Sequence, residues 1–488
     1  MKFIPLLTLA SVLFCGVLTA SATLPAPKSN PWSDSYRELI PLRNYKSWGT
    51  YNVHDPSCHK YGDYYYMYST DAMVGMRRDG VTDEDRAVKV GNIPIRRSKD
   101  LVNWEFVGWA LDSIPQEAVQ WVHDNNNGRG ATNIWAPYII KEGDEYRLYY
   151  CVSAFGKKVS CIGLLVSSSP EGPWQERGYV VKTNSTTPMN AIDPSVIVGK
   201  DGRMWMHYGS FFGGIYCVEL DRTTGLTKVP DDRGHLVARR ANYREDNLEA
   251  PEIIYNPELD TYFLFGSYDP LETTYNVRVG RSKNAEGPFV DFNGKEFSDT
   301  TDNVPVLTAP YRFEEHPGWA GTGHCAAFTD GDGHYFMAHQ GRLSPDNGMM
   351  VLHVRQMFFT PDGWPVVSPE RYAATPQRAI VSDELVGEWE VIRIKDPVEL
   401  RRPEPKQEGK RTSRNGWHRS SRMSVNAADK DEKWTFDEES QLLSLEIGDE
   451  KIENLIIFAG HDWEREADTV LFTGIDKEGN SLWGKKIK

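Results

Sequence analysis

The stretch "NVHDPSCHKYGDYYYMYST", Asn52 to Thr70, has two unlike halves. From Tyr61 it reads as a β-strand, aromatic and tightly alternating, entered through the turn signal Lys60-Tyr61-Gly62-Asp63. Just before it stands Asp55, a carboxylate between His54 and Pro56. The strand half has four echoes: "EYRLYYCVS" at Glu145, "RMWMHYGS" at Arg203, "TYFLFGSY" at Thr261 and "HYFMAHQ" at His334. Each follows a turn rich in Gly, Asp or Asn, and no long amphipathic helix is legible before about residue 375. The fold class is therefore all-β.

The carboxylate half recurs as well. Short anchors precede the hairpins: "HDPS" at Asp55, "WAPY" at Trp135, "IDPS" at Asp193, "EAPE" at Glu249 and "GHCA" at His324. Between them runs a second repeat, "RRSKDLVNWEFVG", "VSSSPEGPWQERG" and "GRSKNAEGPFVDF". Multi-strand repeats of roughly 40–60 residues indicate a β-propeller, and five anchors predict five blades. A central channel then brings equivalent positions together. Three anchors carry acids: Asp55, Asp193 and Glu249. A residue before Pro is pushed toward extended backbone, so each acid is expected at the start of an inner strand, facing the channel.

Composition bounds the chemistry. The 488 residues include 15 Trp and 23 Tyr, too aromatic for disorder and suited to sugar-facing clefts, because a ring offers a flat apolar face. A formal net charge of −14 argues against a nucleic-acid partner. Residues 1–22 read as a secretory signal: Lys2, an apolar run to Leu18, then Ala20-Ser21-Ala22. A secreted or periplasmic protein follows, with lipid anchoring at Cys15 disfavoured by the bulky Phe14. No other run is long enough to span a membrane. The remaining cysteines, Cys58, Cys151, Cys161, Cys217 and Cys325, are odd in number and read mostly as small buried hydrophobes, although Cys151 and Cys161 could face each other across a hairpin. Residues 23–380 are assigned to the propeller and 381–488 to a smaller, barrel-like C-terminal β domain.

Glycoside hydrolysis needs a carboxylic acid to protonate the leaving oxygen and a carboxylate to activate water or attack the sugar. A third carboxylate can tune the acid through charge. The segments "HDPS", "WAPY", "CVSAFG", "NAIDPSV", "YGSFFGGIY", "EAPEIIY", "GTGHCAAF" and "HVRQMFFTPDGWPVVSPERY" resemble glycoside hydrolase family 43, and within it the endo-1,5-α-L-arabinanases. "VLFTGIDKEGNSLWGKK" resembles the accessory domain of the large two-domain members.

The resemblance implies a five-bladed propeller that cleaves internal α-1,5 bonds of arabinan with inversion. It implies Asp55 as general base, Asp193 as pKa modulator and Glu249 as general acid, with base and acid about 6.5–9.5 Å apart. Trp135, Phe155, Asn190, Ser210 and Phe211 match positions around the sugar cleft. His324 matches a channel histidine that helps hold a hydrated calcium ion. A monomer is expected. Two departures bear on endo against exo action: Tyr138 stands where the family often has Asp, and Phe212 where relatives have Trp. The rival readings are an exo-acting arabinofuranosidase or β-xylosidase on the same fold, and a sugar-binding propeller without catalysis.

Overall fold

The computed structural model describes residues 42–71, 90–240, 247–299, 302–344, 349–397 and 417–487. The signal segment 1–22, with Cys15, lies outside the described residues. Apart from short 3-10 turns, the described residues are all-β with one exception, a ten-residue helix Gln116–Asn125 that the sequence reading does not anticipate. It buries Ala118 and Val122, one turn apart, against the second sheet.

Four antiparallel sheets of four strands form blades in chain order. Each is a meander, with every strand paired to the next. Their first strands are His54–Tyr61, Trp135–Glu142, Ser195–Val198 and Leu248–Asn256. The fifth anchor opens into a larger, seven-stranded sheet, where Cys325–Thr329 pairs with Tyr335–Leu343, followed by Met350–Phe359 and Pro365–Val367. The strand Cys325–Thr329 packs against both His54–Tyr61 and Leu248–Asn256. The strand Trp135–Glu142 in turn packs against His54–Tyr61 and Ser195–Val198, which closes a circuit around the channel.

The aromatic strands are explained by this stacking. Each second strand lies between two neighbouring sheets, so both its faces are buried. Along Tyr64–Thr70, Tyr66 and Tyr68 pack with Leu148, Tyr150 and Val152 of the next blade. Tyr65 and Met67 point the other way, to Phe328, Phe336 and Ala338. The same alternation fixes the cysteines. In the hairpin register Cys151 stands opposite Ile162, and Val152 opposite Cys161. The two thiols therefore point to opposite faces, into different cores, and all five described cysteines are free and buried.

The C-terminal unit is a curled seven-stranded antiparallel sheet over its own core, which includes Trp389, Leu455 and Phe472. It is also continuous with the propeller. Ile392, Ile394, Trp463 and Trp483 belong to the same cluster as Phe263, Met337 and Trp364. Strand His418–Arg419 pairs in parallel with Tyr311–Arg312 and so extends the seven-stranded propeller sheet. Lys485 Nζ reaches Glu370 at 2.6 Å and Asp462 at 2.9 Å, with all three residues buried. Residues 398–416, which include Arg401, Arg402, Lys406, Lys410 and Arg411, lie outside the described residues.

Candidate active site

The first strand of three blades breaks register at its anchor: between His54 and Ser57, between Trp135 and Tyr138, and between Glu249 and Glu252. In each break the residue before Pro is left-handed: Asp55 at φ 49°, Ala136 at 37° and Ala250 at 55°. Asp193 (57°) and His324 (49°) share that conformation at their anchors. This corrects the expectation of extended backbone before Pro. Left-handed backbone is strained for a residue with a Cβ and persists only where surrounding structure enforces it. Here the bulges enforce it and turn the side chains toward the channel mouth. Asp55 and Asp193 occupy the left-handed position itself, whereas Glu249 stands one residue before it.

The three acids differ in environment. Asp55 accepts hydrogen bonds from Thr70 Oγ1 (2.7 Å, to Oδ2) and His324 Nδ1 (2.8 Å, to Oδ1), and His54 Nε2 lies 3.1 Å from Oδ1. Burial would raise its proton affinity, but the neighbouring histidines and the Thr70 hydroxyl outweigh burial and hold the carboxyl well below the usual range. Burial lowers His54 to about 4, so at neutral pH it is an uncharged neighbour. The charged partner is His324. Burial opposes its protonation, yet Asp55, then Asp193 and Glu249, lift it to about 9. Asp193 Oδ2 accepts the Ala250 N–H at 3.1 Å. Burial, then the negative charges of Glu249 and Asp55, push Asp193 well up against the pull of His324. Glu249 is also raised, by burial first, against hydroxyl donors from Ser210 (2.7 Å) and Tyr275. One cleft thus holds a carboxyl held well below the usual range, Asp55, beside two that are raised above it, Asp193 and Glu249.

That cleft has a volume of about 640 Å³ and is lined by all nine residues singled out in the sequence: Asp55, Asp193, Glu249, Trp135, Phe155, Asn190, Ser210, Phe211 and His324. Phe155 is 84 % exposed, which removes blade packing as its purpose. Its ring meets Trp135 edge-on at 6.3 Å. Asn190 is buried and accepts from Ser160 Oγ at 2.6 Å. Ser210 reaches Glu249 because the loop after Tyr208 bridges onto the Glu249 strand, with Phe211 N–H donating to Leu248 O. Phe212 lines the cleft, whereas Tyr138 is a core residue.

Sequence reasoning missed four contributors. Thr70 binds Asp55 and also accepts the Ala136 N–H at 2.7 Å, joining two blades. Gln340 Oε1 accepts the Asp55 N–H at 3.3 Å. Tyr275 lines the cleft with Glu249. Glu252, inside the quoted "EAPE", accepts from Ser195 Oγ (2.9 Å) and Ala327 N–H (3.1 Å), and so ties three sheets together. Only Glu252 carried a signal, as a second acid within an anchor.

Among the described residues, the one group of three close ligand side chains able to share a metal ion is Glu370, Asp462 and Glu464, and Lys485 Nζ already bonds all three. His324 offers a cation a single ring nitrogen, Nε2, because Nδ1 faces Asp55. The three carboxylates that favour its proton would equally favour a cation. An ion there fits only with water as most of its ligands, since calcium takes six to eight oxygens.

A propeller whose channel mouth sets a carboxyl of lowered proton affinity and one of raised proton affinity in an aromatic-rimmed cleft has the working parts of a glycoside hydrolase. The chain belongs to glycosyl hydrolases family 43, which matches residues 49–365; residues 369–484 match a C-terminal lipocalin-like domain. An extracellular endo-α-(1→5)-L-arabinanase of Thermotoga petrophila is 29 % identical over 490 residues, covering 89 % of this chain and 94 % of that protein. An extracellular exo-α-(1→5)-L-arabinofuranosidase of Cellvibrio japonicus is 30 % identical over 334 residues, covering 65 % of this chain and 86 % of its own. The crystal structure of the Thermotoga petrophila endo-1,5-α-L-arabinanase superposes with a TM-score of 0.74 at 26 % identity, covering 90 % of this chain and 99 % of that one.

Proposed function

We propose that this protein is an inverting glycoside hydrolase that cleaves internal α-1,5 bonds between L-arabinofuranosyl units of arabinan. The observation that carries the reading is the set of unlike carboxyls in one cleft of a family 43 propeller: Asp55 held well below the usual carboxylate range and Glu249 raised above it. In this mechanism Asp55 takes a proton from water as the water oxygen attacks the anomeric carbon. Glu249 gives its proton to the glycosidic oxygen on the opposite face, and that bond breaks. Asp193 fixes the backbone beside Glu249 through the Ala250 N–H, and the closeness of the two carboxyls disfavours both being charged at once. Trp135, Phe155, Asn190 and Phe211 contact the sugars. Endo action is favoured because the relative that covers nearly the whole chain is named an endo-arabinanase, while the exo-named relative covers the propeller portion.

The finer features belong to the same proposal. The sheet begun by Cys325–Thr329 serves as the fifth blade, supported by its contacts on both sides. The domains divide near residue 380, and the C-terminal sheet is barrel-like. A hydrated calcium ion at His324 would add positive charge beside the carboxylates. The protein acts as a secreted monomer; the extracellular relatives support the secretion, and no described helix is long and apolar enough to cross a membrane.

The test is hydrolysis of debranched arabinan, with and without a chelator. Wild type yields a ladder of oligomers, Glu249→Ala loses about 10²–10⁴-fold in rate, and chelation lowers activity. Equal rates in wild type and Glu249→Ala defeat the assignment of the acid, and release of monomer alone favours the exo reading. Activity indifferent to chelation removes the calcium.

A further inference from the structure

We propose that Ser267 is a positioning residue: its hydroxyl fixes the backbone of His324, and His324 in turn holds Asp55. The proposal rests on the reading of Asp55 as general base. Ser267 lies on strand Thr261–Tyr268, opposite Glu249 in the hairpin register, and is fully buried. Its Oγ accepts the His324 N–H at 2.8 Å. His324 Nδ1 then donates to Asp55 Oδ1, also at 2.8 Å. Two hydrogen bonds therefore carry the position of a serine in one sheet, through the anchor of a second, to a carboxylate in a third.

The same bond recurs around the channel, which separates it from chance packing. At the left-handed anchor residues Asp55, Ala136 and Ala250, the N–H is accepted by Gln340 Oε1 (3.3 Å), Thr70 Oγ1 (2.7 Å) and Asp193 Oδ2 (3.1 Å). Each acceptor belongs to the sheet before it in the circuit. Left-handed backbone is strained, and a buried N–H without a partner is costly, so each acceptor favours the bulged conformation over a relaxed one. Ser267 is the member whose anchor residue, His324, reaches across to Asp55. The rest of that segment is held independently. Gly323 O accepts the Gln340 N–H at 3.3 Å, and Thr308 Oγ1 donates to Thr322 O at 2.7 Å. Loss of the Ser267 hydroxyl therefore loosens the His324 backbone locally and leaves its neighbours anchored.

The test uses two substrates, with calcium in excess so that a weakened ion site cannot cause a loss. Attack by water needs the base both on a linear arabino-oligosaccharide and on the dinitrophenyl glycoside of a shorter one, whereas only the first needs the acid. Ser267→Ala is expected to lower kcat about tenfold on both, with KM little changed. Ser267→Cys, which keeps a weaker acceptor in nearly the same volume, is expected to fall between, and it carries the comparison if the alanine variant does not fold. Ser57→Ala is the control. It removes another cross-sheet acceptor, that of the Ile139 N–H at 3.2 Å, and is expected to leave kcat within about threefold. A loss confined to the oligosaccharide would place Ser267 with Glu249, its hairpin neighbour, and overturns the proposal. An unchanged kcat, a change in KM alone, or an equal loss in Ser57→Ala overturns it as well. Asp55→Ala is assayed on the same pair. If it keeps its rate, the fault lies in the reading of Asp55. If it loses rate on both substrates and Ser267→Ala does not, the fault lies with Ser267.

Discussion

Glu252 shows how a residue outside the chemistry can govern the molecule. Its carboxyl is 3 % exposed, and burial raises it to about 8 against donors from Ser195 and Ala327. The ordinary value is 4.5. Between those two values the folded protein keeps a proton that the unfolded chain has lost. Stability from this group is therefore greatest at low pH, falls as pH rises through that window, and levels off above it. The upper limit of the effect is on the order of 5 kcal/mol. Glu252→Gln, which cannot ionise, should flatten the fall. Urea unfolding from about pH 5 to about pH 9 measures it, and parallel slopes in both proteins contradict the assignment. The identity of Glu252 was readable in "EAPE", but its burial was not, because that depends on Ser195 and Ala327 arriving from other sheets.

The bulged anchor is the element that makes the site. A regular inner strand would point alternate residues into the blade interfaces. The break at Asp55–Pro56 turns the acid toward the channel, and Thr70 on the neighbouring strand secures it. The hydroxyl of Thr70 also accepts the Ala136 N–H, so one side chain sets the acid and joins two blades. Thr70→Val keeps the shape and removes both bonds. It should cost about 1–3 kcal/mol in stability, since a buried N–H loses its partner, and should lower kcat. Thr70→Ser should restore most of both. A Val variant with wild-type stability and rate would remove Thr70 from this role. The anchors were legible as repeated tetrapeptides. Their left-handed backbone was not, because the local rule for residues before Pro points to the extended region and tertiary packing overrides it.

At the scale of the whole molecule, the C-terminal sheet completes the propeller. It supplies Trp483 and Ile392 to a core shared with the propeller and places Lys485 among Glu370, Asp462 and Glu464. Burial alone would strip the lysine of its proton, but those carboxylates hold it firmly charged. Lys485→Met leaves Glu370 and Glu464 without their lysine and Asp462 with only Arg465, and should cost about 3–5 kcal/mol, read from the denaturant midpoint. An unchanged midpoint would mean the cluster does not secure the junction. The sequence by itself determined the all-β class, the repeat, the three acids and the aromatic rim, because these are carried by strand periodicity, turn residues and local motifs. Only the tertiary structure decided which carboxyl is lowered and which are raised in proton affinity, that Ser210 binds Glu249, and that the second domain shares the propeller's core. Those outcomes depend on burial and on partners remote in the chain, and no local pattern of residues encodes the distances between them.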